Sequence, residues 1–108
     1  MMPETRTRGV LAQVEDEIRR LRTSNGIPPE SGGSLPLVAA GYAYAATLDA
    51  GHRARCANQD TTSAVYRQLA RLCPWPLTLR STRYDLLRAA ALLVLELDRI
   101  DQTVATEA

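Results

Sequence analysis

Glu15, Asp16 and Glu17 form the one acidic cluster in the first half of the chain, and Glu96 and Asp101 stand near its end. Carboxylates projected from facing helices into a bundle can hold a divalent cation, and a metal-bound water so held can attack a phosphate. In that reading Glu15, Glu17, Glu96 and Asp101 are Mg2+ ligands. The competing reading is that the early acids are a solvated helix face, with Glu15 and Arg19 an ordinary i,i+4 pair. The second is preferred, because a charge run is ordinarily a solvated face and acids mark sites only probabilistically.

His52 is the one histidine, beside Arg53 and Arg55. A general base needs a nucleophile or metal within reach, and none is apparent from spacing, so a surface imidazole is expected. Cys56 and Cys73 have no CxxC partner. With His52 they make at most three soft ligands where a structural zinc site takes four, which predicts buried free thiols in a reducing cytoplasm. There is no phosphate-binding loop of the Walker type, no nucleophile elbow and no zinc-protease helix motif. No resident cofactor is expected; Mg2+ belongs only to the carboxylate reading.

All thirteen basic residues are Arg, and the net charge is +1. That is too near neutral for nonspecific nucleic-acid binding, and no helix-turn-helix pattern is evident. The distribution is uneven. Arg53, Arg55, Arg67, Arg71, Arg80, Arg83 and Arg88 face only Asp60 and Asp85 in the same stretch, whereas Glu96, Asp98, Asp101 and Glu107 have only Arg99 for company. Guanidinium groups suit bidentate contact with carboxylate or phosphate, so Arg67, Arg71, Arg80 and Arg83, with Trp75 as an apolar anchor, are the candidate partner-binding residues. Trp75 lies between two prolines, and a plug at the end of a helical core is its alternative role.

The elements that must position these groups are helical. At 108 residues, without Phe and with aliphatic residues and Ala dominant, the chain reads as one all-α domain, a small bundle of about four helices over 1–108 with mobile ends at 1–6 and 104–108. A first helix from about Thr7 to Thr23 carries Val10, Val14, Ile18 and Leu21 on one face. "SNGIPPESGG", Ser24 to Gly33, breaks it with strong turn signals. A second helix, capped by Ser34, carries Leu35, Val38, Ala39, Tyr42 and Ala46 and stops at Gly51. "GHRARCANQD" has no period and reads as a loop. Asp60 or Thr61 caps a third helix with Val65, Leu69 and Leu72, which ends before the extended "CPWP".

The last helix, capped by Ser81, repeats Leu86, Ala90, Leu93, Leu97, Ile100 and Val104 in steps of four and three, an a/d heptad pattern, with Leu87, Ala91 and Val94 as a second stripe. It has more apolar surface than one neighbour covers. It is expected at the bundle centre or at the seam of a homodimer, with Leu86, Leu93, Leu97 and Ile100 in the seam. The longest apolar run, Ala89 to Leu95, is too short to span a bilayer, and the start "MMPETRTRG" lacks a secretory apolar segment, so a location in the cytoplasm is expected.

The segment "WPLTLRSTRYDLLRAAALLVLELDRIDQ" resembles the C-terminal part of a family of small phage and prophage proteins of the type W-P-W…R-R-D-L-V-x-A-x-A-L-I-x-A-E-I-E-R-L-D-R, without a gap from Asp85 through Asp101. "LPLVAAGYAYA" is similar to that family's L-A-x-A-A-x-x-Y-A segment, with Leu35, Ala39, Tyr42 and Ala43 in place. The family looks related to the all-helical MazG-type nucleotide pyrophosphohydrolases. Between its first helix and the L-A-x-A-A segment it has G-W-x-P-E-H-D-D, where this chain has Gly26, Ile27, Pro29 and Glu30, then Ser31, Gly32 and Gly33. The histidine and both aspartates are missing, and Ser and Gly offer neither a charged oxygen ligand nor a titratable base.

The resemblance and the lost triplet together imply a non-catalytic phage or prophage accessory protein in the cytoplasm of a bacterial host. It is expected to act by binding a protein or ribonucleoprotein partner, as an inhibitor of a bacterial defence system of the anti-CRISPR kind. The alternative that the resemblance implies is a MazG-like, magnesium-dependent nucleoside triphosphate pyrophosphohydrolase.

Overall fold

A computed structural model of the chain describes residues 3–23 and 34–107. The stretch Ser24 to Gly33, with the Ser31, Gly32 and Gly33 replacement, lies outside the described residues. Those described form five helices: α1 (Pro3–Thr23), α2 (Ser34–Ala46), α3 (Ala50–Ala57), α4 (Ala64–Leu72) and α5 (Thr82–Glu107). There is no strand among them.

The helix beyond the expected four is α3, which occupies the stretch read as a loop. Helix α2 ends at Ala46 instead of Gly51, with Thr47 Oγ1 donating to the Tyr44 carbonyl at 2.7 Å. Asp49 then caps α3 by accepting from the His52 backbone N–H at 2.8 Å. A short, exposed helix buries one residue of its own, Cys56, and so leaves no apolar period in the sequence. Helix α4 is capped by Ser63, which accepts from the Tyr66 N–H, and not by Asp60 or Thr61. Asp60 closes the preceding turn, accepting from Thr62 N at 3.0 Å and Thr62 Oγ1 at 2.6 Å. Ser81 caps α5 as expected, accepting from the Tyr84 N–H at 3.0 Å. Both helical ends reach into the segments read as mobile: α1 starts at Pro3, where a missing N–H costs nothing, and α5 runs to Glu107.

Helix α5 lies between α1 and α2 and packs on both, while α4 packs on α2 and α3. Helices α1 and α5 run in the same direction, since Gln13 pairs with Arg83 near one end and Arg22 with Asp98 further along. Helix α2 runs against them; Arg53, which bonds the Ala45 carbonyl at its end, also bonds Arg80 just before α5 begins. The core gathers Val14 and Leu21 of α1, Leu35, Val38, Ala39 and Tyr42 of α2, Cys73, and Ala89, Ala91, Leu92 and Leu95 of α5. Leu21 and Leu92 are fully buried, and each contributes on the order of 2 kcal/mol by leaving water.

The core side of α5 is therefore Asp85, Ala89, Leu92 and Leu95, and the a/d stripe points elsewhere. Leu86, Leu93, Leu97, Ile100 and Val104 are 42–61% exposed. Val10 is exposed too, although the rest of its expected face, Val14, Ile18 and Leu21, is buried or half-buried. The molecule is a plate of 48 × 43 × 21 Å with a radius of gyration of 15.3 Å. A chain of this length packed as a sphere has a radius of gyration of about 13 Å. One face of α5 is thus left without a layer over it.

No helix among the described residues is long and apolar enough to cross a membrane.

Candidate functional site

The polar chemistry of the molecule concentrates along the junction of α1, α2 and α5. Glu17, on the inward side of α1, is 3% exposed and survives there because its carboxylate is fully engaged. Arg88 Nε donates to Oε2 at 2.9 Å, and the Tyr84 hydroxyl donates to Oε2 at 2.8 Å. Arg20 adds a contact of 3.2 Å to Oε1 and donates to the Tyr84 hydroxyl at 3.0 Å. Arg88 also reaches the Tyr42 hydroxyl at 3.4 Å, which accepts from the Thr78 N–H at 3.2 Å. Burial works against the charge of Arg88, yet its bonds to Tyr42 and Glu17 outweigh that and leave its pKa raised. Guanidinium carbons of Arg20, Arg80 and Arg88 lie 5.8, 4.7 and 5.6 Å from the centre of the Tyr84 ring, within cation–π range.

A second charged pair is buried close by. Asp85 is inaccessible to solvent and pairs with Arg53 of α3. Among the described residues no buried side-chain polar atom lacks a partner.

The four acids read as metal ligands behave differently from one another. Glu15 and Asp101 are exposed. Glu17 is consumed by the Arg88 and Tyr84 network, and Glu96 by Arg99, whose Nε and Nη2 each donate at 2.8 Å to one of its oxygens. That bidentate bond holds the Glu96 carboxyl below the usual carboxylate range. Among the described residues no three His, Cys, Asp or Glu side chains converge to hold a metal ion.

His52 is exposed, with Nδ1 at 3.0 Å from both carboxylate oxygens of its own cap, Asp49, and the bonds it makes hold that carboxyl low. Cys56 and Cys73 are free and buried, as read from the sequence. Both line one cavity of about 80 Å³ with Tyr66, Leu69, Trp75 and Leu77, and burial pushes both thiols up. Trp75 is half-buried against the core.

Arg67, Arg71, Arg80 and Arg83 are all exposed. Arg80 and Arg83 stand together at the start of α5: Arg80 over the Tyr84 ring, Arg83 at a cleft of about 170 Å³ shared with Gln13, Arg20 and Tyr84. Arg67 and Arg71 sit on α4, which packs on α2 and α3 and not on α5. The four form two groups, one on α4 and one where the chain enters α5.

The residues to which the sequence reading gave no place in a site are Arg53, Asp85, Arg88, Tyr42 and Tyr84. The side-chain pairs Arg53–Asp85, Tyr84–Glu17, Arg88–Glu17 and Arg88–Tyr42 span 32 to 71 positions, so no local spacing reports them. The one available signal was an acid, Asp85, four positions before the longest apolar run of the chain, Ala89 to Leu95.

Compared with protein-family models, with curated proteins and with solved structures, the chain matches none.

Proposed function

We propose that this chain is a non-catalytic phage or prophage accessory protein that acts by binding a protein or ribonucleoprotein partner, as an inhibitor of a bacterial defence system of the CRISPR–Cas kind. The observation that carries the binding part is an asymmetry between acids and bases. The inward-facing acids Glu17, Asp85 and Glu96 are each tied to an Arg of this chain, whereas the exposed Arg67, Arg71, Arg80 and Arg83 have no carboxylate partner among the described residues: Arg67 bonds the Thr61 carbonyl, Arg83 bonds Gln13 and Arg80 lies over Tyr84. Exposed Arg is suited to carboxylate or phosphate groups on a partner, and the half-buried Trp75 to an apolar anchor. The inhibitory part rests on the likeness of "WPLTLRSTRYDLLRAAALLVLELDRIDQ" to small phage proteins.

The test pairs capture with an activity assay. Affinity-tagged protein is used to draw partners from a bacterial host lysate, and the same is done with the Arg71→Glu, Arg80→Glu variant after circular dichroism confirms unchanged helicity. A partner retained by the parent and lost by the variant supports the reading. Pyrophosphate release from nucleoside triphosphates with Mg2+ or Mn2+, abolished by Glu17→Gln or Glu96→Gln, would replace it with the MazG-like hydrolase.

A further inference from the structure

We infer that the uncovered face of α5 is closed by a second copy of this chain, packed antiparallel across it, with Leu93 of each copy against Leu97 of the other. It is carried by the aliphatic stripe, and Arg83 borders both that stripe and the proposed partner surface.

Eight aliphatic side chains carry the argument. Val10 and Leu11 of α1 and Leu86, Leu93, Val94, Leu97, Ile100 and Val104 of α5 are each 42–61% exposed. The α5 residues, with Val10 at the groove it shares with Leu86, make an apolar surface on the order of several hundred Å², the size that marks an interaction site, and a stable dimer needs about 800 Å² per partner. Helix α5 is long enough to supply it: 26 residues span about 39 Å. The plate shape points the same way, because a second plate laid on this face gives α5 the layer it lacks.

The two ends of the stripe differ in relief, and this selects the direction. At its start, Leu86, Leu87 and Ala90 form the floor of an open groove of about 230 Å³ walled by Val10 and Val14 of α1, with Arg83 at the rim. At its far end no wall is present among the described residues: positions 100 to 104 are all exposed, and α1 makes its last described ion pair with α5 at Asp98. An antiparallel copy centred between Leu93 and Leu97 sets Ile100 opposite Ala90 and Val104 opposite Leu86. The proud end of each helix then fills the groove of the other, twice, by one two-fold axis. A parallel copy would set groove against groove.

Charge and dipole agree with that choice. Antiparallel packing lays the basic start of one α5 beside the acidic end of the other, which carries Asp98 and Asp101, and opposes the helix dipoles.

The test uses the full chain. Sedimentation equilibrium is expected to give twice the 11.8 kDa chain mass at micromolar concentration. Leu97→Asp, on an exposed position, is expected to keep the helicity and raise the dissociation constant roughly a hundredfold, while Leu97→Met keeps the dimer. Orientation is read by oxidative cross-linking, the native thiols being buried. Leu86→Cys with Val104→Cys in one chain is expected to give a disulfide-linked dimer, and either change alone to give none. A single-chain mass at all concentrations up to about 100 μM overturns the proposal, since that dissociation constant is beyond a stable dimer. A dimer indifferent to Leu97→Asp, or cross-linked by Leu86→Cys alone, overturns it equally.

Discussion

Asp85 joins three segments through one carboxylate. One of its oxygens pairs with Arg53 of α3, and the other accepts the Arg80 backbone N–H at 3.0 Å. Arg53 in turn donates to the Ala45 carbonyl at 2.8 Å and to the Arg80 carbonyl at 2.7 Å. The end of α2, the short α3 and the chain entering α5 are thereby tied at one point. Asp85→Ala leaves a mostly buried guanidinium unpaired and is expected to destabilise the fold by about 3–5 kcal/mol, whereas Asp85→Asn keeps an acceptor for the Arg80 N–H and costs less. Urea unfolding followed by circular dichroism measures both.

Gly41 is the point of closest approach between α2 and the extended segment after α4. A Cβ placed there meets Cys73 Cβ at 2.9 Å and Leu77 Cδ1 at 3.1 Å. The first of these belongs to the root of a buried side chain and has no rotamer by which to retreat. Gly41→Ala is expected to cost on the order of 1–3 kcal/mol despite the better helix propensity of Ala, and Gly41→Val more. Gly9, around which the structure leaves open space, is the control: Gly9→Ala is expected to be neutral or stabilising in the same melt.

The buried thiols give a chemical readout of the same region. Burial raises Cys56 and Cys73 above the ordinary thiol value of 9.0 and keeps the reactive thiolate scarce. A disulfide reagent at mildly alkaline pH is expected to label both slowly, and fast in denaturant. In Gly41→Val, whose clash is with Cys73 itself, Cys73 is expected to label ahead of Cys56, as mass spectrometry of the modified peptides shows.

Acid should weaken the fold through three carboxylates that are held low. Asp49, held low by the His52 N–H, Asp60, held low by the Thr62 hydroxyl, and Glu96, held low by Arg99, all bind a proton less readily folded than unfolded. Their stabilisation is complete above the ordinary values of 3.8 for the aspartates and 4.5 for the glutamate, and is lost as the pH falls through the lowered ones. The urea midpoint is expected to drop below about pH 4.5, and Glu96→Gln to flatten part of that drop. An unchanged profile in Glu96→Gln would mean that the Arg99 bond does not persist in solution.

Much of the helical layout was legible because it depends on local rules. The Ser81 cap, the break before "CPWP" and the buried Val14, Leu21, Val38 and Tyr42 follow from periodicity and turn chemistry. Helix α3 escaped because a cap, not an apolar face, makes it. The heptad stripe of α5 was read correctly as a pattern, but α5 carries a second inward set at Ala89, Leu92 and Leu95 with similar spacing. Periodicity gives the faces of a helix without saying which one meets the core. Glu17 and Asp85 look like surface acids one at a time. Only the fold, by bringing Arg88 and Arg53 to them, makes burial affordable.

Helix α1 packs against α5 and no other described helix. The chain therefore has a natural parting line. Releasing α1 breaks the Glu17 network and uncovers one side of α5, while α2, α3 and α4 keep their mutual contacts and the Asp85 tie stays closed. Amide protons of α1 should exchange through this partial opening, faster than those of α2 and the first half of α5, which wait for the whole molecule to come apart. In sequence α1 precedes the other described helices, and the surface it needs lies some seventy residues downstream. It remains without its berth until α5 is in place.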